Sequence, residues 1–332
     1  MARRPPTRHA PRDSSRRRLW VYFVLVAFLL VDVLLIMLAL SSARAGAPGD
    51  APRAIPTFTA VPNSPAPTSP AGTPRPTPTA SQSATVVAVP PTLIISALDA
   101  TTAWRAETGA CPATPASPEL TIDSGATWKS TDATGPAEVT AIQRIMVSSE
   151  SVASIVGLAQ ADCAPQFVKT FVAGDNYSSY PDQLADTWYV NPADRGTVHS
   201  PAGDFKTPCA AVIVLTPRDG AAAAVLCVDG QVFTTTDAAK TWSRPATVSG
   251  AVNVAVTQTG YLAAAVGRVG CAGVQIVALT SDLEAGMTGC YPTNVAANSL
   301  PGKVALSSAG GVIWLWAADN VARSSDGGST WR

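Results

Sequence analysis

Three octapeptides, TIDSGATW (residues 121–128), TTDAAKTW (235–242) and SSDGGSTW (324–331), each place a hydroxyl two residues before a carboxylate and a threonine four residues after it. Such a spacing could serve acid–base chemistry, the carboxylate polarising a hydroxyl, or a self-closing turn, the carboxylate accepting backbone N–H groups. Other catalytic constellations are poorly provided for. Beyond residue 92 the only histidine is His199, so a Ser-His-Asp or Cys-His centre would need it, and its setting GTVHSPAG offers no partner motif. No P-loop, H-E-x-x-H, EF-hand or G-x-G-x-x-G run is present. The aspartates of PADRG and PRDGA read as turn formers.

Cysteines are the second chemically able group. Cys111, Cys163, Cys209, Cys227, Cys271 and Cys290 all fall beyond residue 92, an even count with no C-x-x-C pair to suggest zinc. The expectation is disulfides. Nearness in sequence pairs Cys209 with Cys227 and Cys271 with Cys290, leaving Cys111 with Cys163, among many formal alternatives.

The residue types of the octapeptides favour the turn. Asp accepts backbone N–H bonds within a tight bend, Gly supplies a conformation other residues resist, and Thr-Trp re-enters a strand with its aromatic ring in the core. The pattern resembles the Asp-box, or BNR repeat, S-x-D-x-G-x-T-W, of β-propellers that include sialidases and many non-enzymatic relatives. Ser324, Asp326, Gly328, Thr330 and Trp331 match it throughout. The first copy has Thr121 for Ser and keeps Asp123, Gly125, Thr127 and Trp128; the second has Thr235 for Ser and Ala239 for Gly, and keeps Asp237, Thr241 and Trp242.

The resemblance implies an all-β propeller with each box between the third and fourth strand of a blade, on the side away from any catalytic centre. The box tryptophans are 114 and 89 residues apart, each about two blades of roughly 40 to 50 residues. A degenerate box is therefore expected in each gap: Asp182 with Thr187-Trp188 in the first, Thr280 with Asp282 in the second. Apolar bursts bounded by Gly, Pro or Asp give about five blades, near 93–132, 138–192, 197–248, 250–295 and 302–332. Trp314 and Trp316 share one strand face and read as core. The chain has no strand after its last box, so ATVVAV, 84–89, is expected to add as that outer strand and close the ring.

For sialidases the resemblance further implies an arginine cluster that holds a carboxylate, a Tyr nucleophile with an acidic partner, and an acid/base Asp. The usual F/Y-R-I-P motif is missing. Its nearest counterpart is QRIM, where Arg144 lacks the aromatic and the proline and follows the first box. The reading is a non-catalytic relative, with a divergent glycoside hydrolase as the alternative.

The first third of the chain must position this domain. Residues 1–18 hold seven arginines against Asp13 and read as a basic tail. Leu19 to Leu40 carries one charge in 22 residues, so a transmembrane helix is expected over 19–41, with the arginine-rich side cytoplasmic. Ala43 and Ala45 offer the competing reading of a cleaved signal peptide. Asp32, fourteenth in the span, is a candidate contact with a partner helix or a second copy. Residues 42–83 form a disordered Pro/Ser/Thr-rich stalk, and 84–332 the extracytoplasmic propeller.

Of the chain's 23 basic and 23 acidic residues, 10 and 3 precede residue 93, leaving 13 against 20 and a net charge of −7. That balance argues against nucleic acid. No cofactor or metal is expected. The composition, rich in Ala, Arg, Pro and Thr, suggests a GC-rich bacterium. Together these features predict a single-pass plasma-membrane protein that displays a disulfide-bonded binding or assembly module for an envelope protein or a cell-wall glycan.

Overall fold

The computed structural model describes residues 86–332. The tail, the span, the stalk and Asp32 lie outside the described residues. Among the described residues no helix is long and apolar enough to cross a membrane.

Strands account for the fold, and they form six antiparallel sheets in chain order. The first comprises β1 (Leu93–Ala97), β2 (Ala103–Glu107), β3 (Glu119–Thr121) and β4 (Lys129–Ser130); the second β5 (Val139–Val147), β6 (Ala153–Ala159), β7 (Pro165–Thr170) and β8 (Ser178–Ser179). The third is small: β9 (Tyr189–Val190), β10 (Thr197–Ser200) and β11 (Gly203–Lys206). The fourth holds β12 (Val212–Pro217), β13 (Ala223–Cys227), β14 (Gln231–Thr235) and β15 (Ala246–Thr247); the fifth β16 (Ala251–Val256), β17 (Gly260–Val266), β18 (Gly273–Thr280) and β19 (Ala285–Pro292). The sixth has β20 (Val304–Ala309), β21 (Val312–Ala317) and β22 (Asn320–Ser324). One strand of each sheet, β1, β5, β9, β12, β16 and β20, faces a common axis, and each neighbours the next around the ring.

The molecule is thus a six-bladed β-propeller, which corrects the expectation of about five blades. The unit expected at 197–248 is two sheets, and Tyr189-Val190, expected in the second unit, belongs to the third. Strands of two and four residues show too little alternation for a period of two to register.

Packing between sheets explains the apolar bursts. Trp104, Ile142, Ile155 and Val168 are wholly buried between the first two sheets. Ile276 and Leu315 occupy the same role between the last two. Each such side chain contributes about 1.5–3 kcal/mol by leaving water. Trp314 and Trp316 are buried against Leu93 and Ile95, as their shared face predicts.

Ring closure differs from the expectation. Residues 86–89 form no strand; Val86 packs between the fifth and sixth sheets and Ala88 between the fourth and fifth. Side chains close the seam instead. Thr92 donates from its N–H (2.7 Å) and its hydroxyl (3.0 Å) to Gly302 O. Ala97 N–H donates to Ser307 Oγ, Arg323 Nη1 to Ala100 O, and Trp314 Nε1 to Asp99 O. Arg105, paired with Glu119, sits over Trp128 at 4.1 Å and Trp316 at 4.8 Å. An apolar segment with few strand partners gains more by burying Val86 and Ala88 between blades than by pairing at an edge.

All three disulfides form as sequence proximity suggests: Cys111–Cys163, Cys209–Cys227 and Cys271–Cys290, with Cα separations of 5.9, 5.2 and 5.7 Å. No free cysteine remains among the described residues. They point to an oxidising, extracytoplasmic environment.

Candidate functional site

The three octapeptides adopt one geometry. Thr121, Thr235 and Ser324 each donate a hydroxyl to the following Asp at 2.7–2.8 Å and accept the N–H of Gly125, Ala239 and Gly328. Each Asp then accepts the N–H of Thr127, Thr241 or Thr330 at 2.9 Å and its hydroxyl at 2.6 Å. Hydrogen bonds from these threonines hold the carboxyls of Asp123, Asp237 and Asp326 down at about 2. Both carboxylate oxygens are thus engaged within each turn, and the turns follow the third strand of their sheets at the rim.

Trp128 meets Trp314 edge-on at 6.5 Å, and Trp331 meets Tyr291 at 5.4 Å. Trp242 packs on the core of the third and fourth sheets.

The first degenerate copy is not built as expected. Pro181–Gln183 is a 3-10 turn, and the Thr187 hydroxyl donates to Gln183 O, away from Asp182. The equivalent turn of the second sheet is Thr170–Tyr177. Thr170 Oγ1 accepts the N–H of Val172 and Gly174, and Ala173 and Gly174 have φ of 52° and 82° against 70° and 84° at Ser124 and Gly125. Val172 replaces Asp and the buried Tyr177 replaces Trp, so the pattern had lost the letters by which it is read. In the fifth sheet the turn stands where expected: the Thr280 hydroxyl accepts the Glu284 N–H at 3.0 Å and Leu283 lies at φ 64°, the backbone path of the other turns without their Asp and Thr bonds.

The concave chemistry lies at the axis. The axial strands enclose a cavity of about 480 Å³, walled by Ile94, Ile145, Leu215, Val254 and Leu306 among others. No Asp, Glu, Lys or His lines it; its charged residues are Arg144 and Arg195.

Arg144 is placed by an irregularity in β5, whose pairing with β6 slips between Thr140 and Arg144, with Ala141 at φ +43°. A bulge of this kind redirects the side chains that follow it. Arg144 Nη1 donates to Trp188 O at 3.5 Å, and burial pushes the guanidinium down to about 10. Arg195 donates from Nε and Nη2 to Val212 O at 3.0 and 2.7 Å, and again to Ile213 O, at a similar slip in β12. Burial lowers it as well. Neither has a carboxylate partner among the described ion pairs. Gln143 also lines the cavity, with its Oε1 buried and unpartnered. Asn253 donates to Val304 O across two axial strands.

Tyr189 completes one wall and stacks on His199 at 4.6 Å; burial first, then the charge of Asp204, raises its hydroxyl. His199 binds Asp204 through Nδ1 at 2.6 Å and Ala185 O through Nε2 at 3.1 Å, so its partners are structural. Asp194 and Asp219 accept N–H groups of their own loops, as turn formers do. Among the described residues no cluster of His, Cys, Asp or Glu could hold a metal ion.

In the sequence Arg144 stands in QRIM without the flanking aromatic and proline, and Arg195 stands in PADRG, a segment with the composition of a turn. A bulge leaves no signature in a single sequence.

Fold and cavity together define a β-propeller of six blades. The sequence matches no protein-family model and no curated protein. Solved structures that match this one include YCF48 bound to a D1 peptide, 16% identical over 74% of this chain and 70% of that one, at a TM-score of 0.28. PorZ, a surface component of the type-IX secretion system of Porphyromonas gingivalis, is 12% identical over 75% and 39%, at 0.40. The SapL1 lectin in complex with α-methyl fucoside is 10% identical over 74% and 95%, at 0.44.

Proposed function

We propose that this chain is a membrane-anchored, non-catalytic Asp-box propeller whose axial cavity takes an anionic group, a carboxylate, of an envelope protein or a cell-wall glycan. In this reading residues 1–18 are cytoplasmic, 19–41 span the plasma membrane, 42–83 are a stalk and 84–332 are the extracellular binding module. The three repeated turns are structural Asp-boxes. Asp32 is the point at which the span meets a neighbouring helix.

One observation carries the reading: two guanidiniums without carboxylate partners line an otherwise uncharged cavity inside a domain of net charge −7. A buried cation is costly unless an anion offsets it. Apolar walls beside the arginines suit a carboxylate on an apolar body. Sialidase-type hydrolysis would call for an acidic partner to the Tyr and an acid/base Asp; the cavity has two arginines and Tyr189, and no Asp or Glu lines it.

Calorimetric titration of the full chain with N-acetylleucine and with its neutral amide tests the proposal. Binding of the acid that exceeds binding of the amide by tenfold or more supports it. Equal binding of both, or of neither, removes it.

A further inference from the structure

The irregularity that aims Arg144 is held from outside its own sheet. Thr114 O, in the loop joining β2 to β3, accepts the N–H of Ala141 at 2.9 Å, and Pro115 bridges to Thr140. Thr140 in turn donates its hydroxyl to Leu158 O at 3.0 Å. Cys111 lies in that same loop and Cys163 in the turn joining β6 to β7, so their bond fastens the loop of the first sheet onto the second. The other two disulfides behave differently. Cys209–Cys227 ties the approach of β12 to the end of β13, and Cys271–Cys290 ties the β17–β18 turn to β19, each closing around one sheet. Thr108 and Gly109, at the start of the fastened loop, themselves line the cavity.

Access differs too. Cys111 and Cys163 are both partly exposed, whereas each of the other bonds has at least one buried cysteine: Cys209 and Cys227 are 7% and 1% exposed, and Cys271 is 6% exposed beside a partly exposed Cys290. A thiolate must reach a sulfur along the S–S axis to exchange with it, so the bond with both cysteines accessible is favoured to react first.

We propose that Cys111–Cys163 is a redox control of the axial cavity: the oxidised bond holds the β5 bulge that presents Arg144 and Gln143, and its reduction by an extracytoplasmic dithiol releases them. The exchange is balanced. One dithiol thiolate attacks a sulfur of the bond and expels the other as a thiolate, and the second dithiol sulfur then resolves the mixed disulfide. Two electrons and two protons pass to Cys111 and Cys163 as thiols, and the dithiol leaves as a disulfide. The inference rests on the anion-binding reading of the cavity.

The test uses the full chain in detergent with N-acetylleucine as the probe, titrated into oxidised protein, protein treated with a mild dithiol, and the Cys111→Ser/Cys163→Ser variant. Alkylation and peptide mapping identify the reduced cysteines, and near-ultraviolet circular dichroism reports tertiary packing. The expected result is alkylation at Cys111 and Cys163 ahead of the other four, retained packing, and affinity weakened at least tenfold in both reduced protein and variant. Unchanged affinity after selective reduction overturns the redox control while leaving the binding reading intact. Loss of packing on reduction, or earlier alkylation of either Cys209 and Cys227 or Cys271 and Cys290, also overturns it. Absence of binding to the oxidised protein overturns the cavity reading, and the redox control with it.

Discussion

The indole N–H of Trp314 in the sixth blade donates to the backbone carbonyl of Asp99 in the first at 2.9 Å, so one wholly buried side chain spans the seam where the ring closes. Replacing it by Phe keeps an apolar ring and strands the Asp99 carbonyl. A buried acceptor left unpaired costs about 1–3 kcal/mol, and Trp314→Ala, which adds a cavity, costs about 3–5 kcal/mol. Urea denaturation of the two variants should order them so. Equal midpoints for wild type and Trp314→Phe would show that the seam does not depend on this bond.

The turn carboxyls make stability depend on acid. Asp123, Asp237 and Asp326 lie at about 2 in the folded chain, below the ordinary value of about 4. A depressed carboxyl stabilises the fold above its unfolded value and loses that contribution as pH falls through the folded one. The melting temperature should therefore hold steady from pH 7 to 5 and fall between about pH 4 and 2. Combining Asp123→Asn, Asp237→Asn and Asp326→Asn should lower the melting temperature at pH 7 and flatten the acid limb; a limb as steep as wild type would assign the acid response to other groups.

The third turn relies on two consecutive glycines, Gly327 and Gly328, at φ 73° and 93°. A Cβ on Gly328 would come within 3.2 Å of the Ile276 side chain as well as incurring left-handed strain. Gly328→Ala should destabilise by about 1–2 kcal/mol from the backbone term alone, measured by denaturant midpoint. A neutral outcome would mean that the turn relaxes.

Arg144→Gln separates charge from shape in the cavity. A hydrogen bond to a charged group is worth about 1.5–3 kcal/mol, so affinity for N-acetylleucine should drop roughly tenfold to a hundredfold while affinity for the amide stays level. Parallel loss for both ligands would indicate a changed wall and not a lost ion pair.

How much of this was legible follows from what each feature writes into a sequence. Turns that need a hydroxyl, an Asp and a Thr-Trp pair repeat those letters, and three of them announced a propeller. The Thr170–Tyr177 turn keeps the backbone path on one hydroxyl and Gly174 alone, so it went unseen while Asp182 and Thr187 attracted the assignment. The third blade, with strands of two to four residues, hid for the same reason that short words are hard to parse. Cysteine pairing was readable because neighbours in sequence are also neighbours in an antiparallel sheet. Arg195 was not, because its role depends on Val212 and Ile213 carbonyls that meet it only in three dimensions.

In an antiparallel sheet successive connections alternate ends. The hydroxyl–carboxylate turns all follow a third strand, whereas Cys111, Cys163, Cys227 and Cys271 all stand where a second strand gives way to a third. The two locking chemistries therefore occupy opposite rims of the disc. Protons attack one rim and electrons the other, so a surface that is merely sour and one that is merely reducing would each loosen a different end of the same molecule.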